Sequence, residues 1–141
     1  MDSRERRFSK RYDAAPLQVE MQLKTLLGGW RSPNRAIAID IAKGGIAVLS
    51  PLKFRSGQSV RLSVGNRDHS LRHIPARIVR QSLRDGDFIY GLHFNFEKIP
   101  EQARASAEIM LSRLLATLEH SRGGVHATNA RTAILDGAVS P

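Results

Sequence analysis

The sequence predicts a small, mainly β domain: a six-stranded antiparallel barrel with one C-terminal helix. Two observations carry this. Six short segments alternate apolar and polar residues, and turn signals separate them by short connections. A single segment after Pro100 then changes to helical spacing. Strands with short connections followed by one helix suit a closed antiparallel sheet that the helix caps.

Composition bounds the rest. A chain of 141 residues is one domain with tails, and a 41% hydrophobic share suffices for a core. The chain has no cysteine, which excludes disulfides, thiolate metal sites and cysteine nucleophiles. No apolar stretch follows the basic N-terminus, which argues against a signal peptide, and no run is long enough to span a membrane. A cytoplasmic location is therefore expected. The net charge of +9 calls for an anionic partner, among which charge alone does not choose.

Residues 1–12 read as a flexible arginine-rich arm, built around Arg4-Glu5-Arg6-Arg7-Phe8-Ser9-Lys10-Arg11. The first strand follows Pro16, with Leu17, Val19, Met21 and Leu23 alternating against Gln18, Glu20, Gln22 and Lys24. Gly28-Gly29 marks a turn, and Trp30 just beyond it reads as a packing residue or loop anchor. Ile37, Ile39 and Ile41 form the second strand, and Ile46, Val48 and Leu49 the third. Between these two lies Asp40-Ile41-Ala42-Lys43-Gly44-Gly45, a tight turn with an acid and a lysine at its mouth. Glycine there admits positive φ and close approach of another group to the backbone.

Val60, Leu62 and Val64 make the fourth strand. A fifth extends from Leu71 to about Leu83, where Pro75 implies an edge position or a bulge. The turn Arg84-Asp85-Gly86-Asp87 leads to Phe88, Tyr90, Leu92, Phe94 and Phe96, whose alternation marks a sixth, core-facing strand. After Pro100, Ala107, Leu111, Leu114, Leu115 and Leu118 recur at helical spacing, and Gly123-Gly124 predicts the helix end near Arg122. The expected organisation is thus arm 1–12, barrel with helix 13–122, and flexible tail 123–141.

The arm contains Arg6-Arg7-x-x-x-Arg11, and the turn reads Asp40-x-Ala42-x-x-Gly45. In this order before a small β domain, they resemble the two signatures of the PilZ family, an (R)RxxxR arm and a [D/N]xSxxG turn. The resemblance runs from about Arg4 to Arg122 and includes the late glycine strand Tyr90-Gly91-Leu92. It implies a bacterial receptor for cyclic dimeric GMP (c-di-GMP), with ligand contacts at Arg6, Arg7, Arg11, Asp40, Ala42 and Gly45. It further implies a downstream protein effector in motility, pilus, polysaccharide or biofilm control.

The chemistry of the residues agrees with that assignment. A guanidinium forks onto phosphate oxygens or the O6/N7 edge of guanine, and its flat face stacks on a purine. A carboxylate accepts from guanine N–H donors, and turn amides bind anionic oxygen. The family serine is replaced by Ala42, and a neutral hydrogen bond is worth about 0.5–1.5 kcal/mol. Weakened binding is the expected consequence.

No Ser/His/Asp order, P-loop or dinucleotide fingerprint is present, and the five histidines form no metal-ligand pattern with carboxylates. The reading is a non-enzyme with no metal and no cofactor beyond its nucleotide ligand. Two alternatives accompany it. A degenerate PilZ module that binds protein and no nucleotide ranks second, because of Ala42. A basic nucleic-acid-binding barrel, motivated by Arg72, Arg77, Arg80 and Arg84, ranks last.

Overall fold

The computed structural model describes residues 10–128, with side chains described for residues 10–120. Seven strands precede the helix: β1 (Arg11–Asp13), β2 (Gln18–Leu23), β3 (Asn34–Ala42), β4 (Gly45–Ser50), β5 (Ser59–Gly65), β6 (Ser70–Arg84) and β7 (Asp87–Phe94). A 3-10 turn, Phe96–Lys98, leads into α1 (Glu101–Thr128). All pairings are antiparallel. The order β3-β2-β5-β6-β7-β4 returns to β3 through β3–β4 pairing, so six strands close a barrel.

The seventh strand is the departure from the six expected. Arg11 and Tyr12, assigned by sequence to the arm, pair with Ala42 and Ile41, and Asp13 pairs with Asp40. β2 covers only Asn34 to Ile37 on that edge of β3. The remaining backbone groups of β3 are thus available, and a short segment satisfies them. Arg11, Tyr12 and Asp13 carry no apolar alternation, so nothing in the sequence marks them as a strand.

Alternation sorts the strands into an inner and an outer face. Val19, Met21, Ile41, Ile46, Val48, Val60, Leu62, Ile78, Tyr90 and Leu92 point inward and are buried. Burial of one such side chain stabilises the fold by about 1.5–3 kcal/mol. Tyr90 also ties the β4–β5 connection to the core: its hydroxyl donates to Leu52 O (2.6 Å) and accepts from Phe54 N (2.7 Å). Its ring lies 5.2 Å from that of Phe54.

Pro75 lies within β6, a strand paired on both sides, and not on an edge. The alternative expectation, a bulge, is met nearby. Arg72 and His73 together oppose Ser63, and His73 has φ 58°. On the β7 side the pairing starts only at Ala76, so the missing N–H of Pro75 removes no rung of that ladder.

α1 begins where Pro100 O accepts from Ala103 N and Arg104 N. Arg104 folds back to donate to Phe96 O, Glu97 O and Ile99 O, which joins the helix start to the barrel. Leu111, Leu114 and Leu118 are the buried face against the sheet. The helix continues past Gly123-Gly124, the expected stop, to Thr128. Glycine lowers helix stability by about 1 kcal/mol but keeps its N–H, so unlike proline it does not force an end. The arm residues 1–9, with Arg6 and Arg7, and the tail from 129 lie outside the described residues.

Candidate functional site: the outer face around Asp40

The register of β1 on β3 places Arg11 diagonally from Asp40 on one face. Arg11 Nε donates to Asp40 Oδ1 at 2.8 Å, and Nη2 donates to the same oxygen. Oδ2 has no hydrogen-bond partner among the described residues. The pair is partly solvent-exposed, at 49% for the Arg11 side chain and 35% for Asp40. An exposed ion pair of this kind contributes under about 1 kcal/mol to stability. Its value lies in presentation: a guanidinium and a carboxylate held side by side, both reachable from solvent.

Ala42 sits opposite Arg11 and is buried at 2% exposure. Gly45 pairs with His93 of β7, and a Cβ built on Gly45 would sit 2.1 Å from Leu92 O. The glycine is therefore required by the close approach of β4 and β7. Positive φ is not the reason, because among the described residues the positive-φ glycines are Gly28, Gly57 and Gly86. Phe94 N donates to Gly44 O at 2.9 Å and pins the turn to β7. Lys43, beside it, is exposed.

Strand register then extends the site across the barrel. Asp40 pairs with Ala47, Ala47 with Gly91, and Gly91 with Arg80, so the four share the outer face. Three strand spacings separate Asp40 from Arg80, about 14 Å along the sheet. Ala47 and Gly91 keep the middle of this track low, and Arg80 reaches back over it. A Cβ on Gly91 would lie 3.4 Å from Arg80 Cβ and 3.5 Å from its Nε. In the neighbouring row Gly45 pairs with His93 and His93 with Arg77. The result is a shallow, small-residue floor with Arg11 and Asp40 at one margin and Arg77, His93 and Arg80 at the other.

The motif reading leaves Arg77, His93 and Arg80 out of the candidate ligand site, although Arg77 and Arg80 figure in the nucleic-acid alternative. The signal was available only in part, as arginines on a polar strand face; which strand lies across from Asp40 is set by the closure of the barrel.

The root of the arm is tied to the helix. Glu119 of α1 accepts from Tyr12 Oη and from Lys10 Nζ, each at 2.9 Å. Tyr12 is pushed above the ordinary tyrosine range, first by its hydrogen bond to the Glu119 carboxylate, then by desolvation and by that negative charge. A groove of about 730 Å³ between Lys43, Phe96 and the helix residues Glu108, Ile109 and Ser112 adjoins the turn. A second, of about 670 Å³, lies elsewhere, against Leu17, Arg35, Ala38 and Leu71. Among the described residues no group of three His, Cys, Asp or Glu is placed to hold a metal ion, and no helix is long and apolar enough to cross a membrane.

A closed six-stranded barrel with a seventh strand at the arm root and one C-terminal helix is the architecture of a PilZ-type domain. The PilZ domain family matches residues 5–115, and the chain belongs to that family. Solved structures agree on the fold. The PilZ domain of Escherichia coli YcgR with c-di-GMP is 20% identical with TM-score 0.63, over 89% of this chain and 99% of that one. YcgR in complex with c-di-GMP is 17% identical with TM-score 0.62, and the match covers 88% of this chain but 51% of that protein. The Bacillus subtilis inhibitor of motility, MotI/DgrA, is 22% identical with TM-score 0.57, over 82% of this chain and 52% of that one. The chain thus spans about half of these longer proteins. No curated protein matches the sequence.

Proposed function

We propose that the protein is a c-di-GMP receptor that binds the nucleotide on the outer barrel face between the arm and the Asp40 turn. The observation that carries this reading is the Arg11–Asp40 pair, held on the surface in a PilZ barrel. Structural neighbours of the same fold were solved with c-di-GMP. Arg6, Arg7 and Arg11 supply forked donors to phosphate and guanine edges. Asp40, with Oδ2 available, accepts from guanine N–H groups. Arg80 and Arg77 flank the opposite margin, where a guanidinium face stacks on a base. Gly45 acts through the backbone packing it permits, and Ala42 leaves out the hydroxyl contact of the family pattern.

Ligand binding draws the arm across this face. Because Lys10 and Tyr12 are bonded to Glu119, rearrangement of the arm root changes what α1 presents to a downstream protein effector. Motility, pilus, polysaccharide and biofilm systems are the candidate outputs, in a cytoplasmic setting.

Isothermal titration of c-di-GMP tests the reading, beside an Arg7→Ala/Arg11→Ala double variant and with GTP as control. Selective binding that the variant loses supports the receptor. Absence of heat and of competition at high ligand concentration overturns it in favour of a degenerate protein-interaction module, for which Ala42 is the motivating residue.

A further inference from the structure

The hairpin between β2 and β3 ends in two leucines that touch nothing. Leu26 and Leu27 are 105% and 99% exposed, at the corners of a turn in which Gly28 N donates to Thr25 O (3.1 Å). Turn corners ordinarily hold Pro, Asp, Asn, Ser or Gly, each for a conformational reason. Leucine has none, and its exposure in water is unfavourable.

The turn is built rather than loose. Thr25 N donates to Gly29 O at 2.7 Å, Gly29 N donates to Thr25 Oγ1 at 3.0 Å, and Gly28 takes the left-handed φ of 94° that closes the loop. Below the tip, Trp30 bridges to Lys24 and lies 4.5 Å under the Arg61 guanidinium. Arg61 Nε donates to Gln22 Oε1, and Gln22 Nε2 donates to Arg31 O, each at 3.0 Å. A rigid stem therefore presents an apolar tip, a half-exposed tryptophan and a collar of cations.

The charge around the tip has one sign. Lys24, Arg31 and Arg35 are exposed, and no acid occurs between Glu20 and Asp40. Leucines at the apex, tryptophan one layer back and cations behind it follow the polarity profile of a bilayer interface with anionic headgroups. A protein groove that received the leucines would gain nothing from a cationic collar of this arrangement unless it too were acidic.

We infer that the Thr25–Trp30 hairpin is a membrane-docking tip that inserts Leu26 and Leu27 into an anionic lipid surface. It precedes β3, and Asp40 lies six residues beyond the strand's first residue, roughly 20 Å along it.

Trp30 is the single tryptophan of the chain, so its fluorescence reports directly on the tip. The experiment titrates the full chain with vesicles of phosphatidylcholine alone or mixed with anionic phosphatidylglycerol, reading Trp30 emission and co-sedimentation. The comparison is Leu26→Ser/Leu27→Ser, whose fold is checked by circular dichroism. The expected result is a blue shift and sedimentation with anionic vesicles only. Partition of the variant should fall about a hundredfold, taking about tenfold for each leucine.

Sedimentation without a Trp30 shift, or unchanged in the variant, would mean that general positive charge acts instead, and overturns the inference. Equal binding to pure phosphatidylcholine overturns the role of the cations. A concentration-dependent Trp30 shift without vesicles identifies a second copy as the occupant and overturns it as well.

Discussion

Glu119, in the sixth turn of the helix, receives the phenol of Tyr12 and the ammonium of Lys10 on its two carboxylate oxygens. The two partners flank Arg11, which faces the other way and pairs with Asp40. Lys10 and the first two residues of β1 therefore connect the helix to the candidate ligand face by alternate side chains. Replacing Glu119 by Gln keeps a hydrogen-bond acceptor and removes the charge. The expected effect on stability is under about 1 kcal/mol, with faster hydrogen exchange at Arg11–Asp13 in the free protein as the readout.

The same contact makes alkaline stability depend on Tyr12. Its pKa is raised in the fold by the Glu119 hydrogen bond, then by burial and by the carboxylate charge. A raised folded pKa means that the contribution is complete below the unfolded value of 10.0 and is lost as pH climbs through the folded value. Tyr12→Phe should flatten that alkaline slope in a series of urea melts, and the phenolate absorbance lost in that variant should be a late-ionising phase.

His73 predicts the opposite limb. Its pKa is lowered first by desolvation, then by the positive charges of Arg61 and Arg72. A depressed folded pKa gives a contribution present above the ordinary 6.5 and lost as pH falls through the folded value. An NMR titration should place His73 below 6.5, and His73→Asn, which also tolerates its positive φ, should reduce the acid slope of stability.

Gly45→Ala should damage the barrel whether or not ligand is present. The added methyl meets the Leu92 carbonyl at 2.1 Å, and backbone cannot yield as a side-chain end does. Overpacking of this kind costs about 1–3 kcal/mol, measurable as a lower urea midpoint. Lost nucleotide binding in this variant is consequently no sign of a direct contact, whereas Arg11→Ala should lower affinity about tenfold or more with the melt nearly unchanged.

Tyr90→Phe isolates a buried polar contact. The ring and its packing remain, while Phe54 N loses its acceptor and Leu52 O its donor. An unsatisfied buried group costs about 1–3 kcal/mol, so chemical denaturation should show a loss in that range. A neutral result would mean that water replaces the hydroxyl between Leu52 and Phe54.

Much of this architecture is readable in the chain. Period-two alternation located the six barrel strands, and Leu111, Leu114 and Leu118 marked the helix face that packs on them. The motif pair alone points to the family, and the match over residues 5–115 places the chain there. β1 was hidden because Arg11-Tyr12-Asp13 has no apolar pattern; it is a strand only because β3 outruns β2. Pro75 misled in one respect, since a strand paired on both sides accommodates it where the β7 ladder has ended.

Alternation and turn chemistry are local, and by themselves they determined which residues face inward, where the chain reverses and which residues carry the arm and turn motifs. Neighbourhood across strands is not local. Barrel closure decided that Asp40, Ala47, Gly91 and Arg80 share one row, that Gly45 is held against Leu92, and that Arg11 pairs with Asp40. Each of these depends on the register of strands far apart in sequence, and a slip of one residue would turn the whole set to the opposite face.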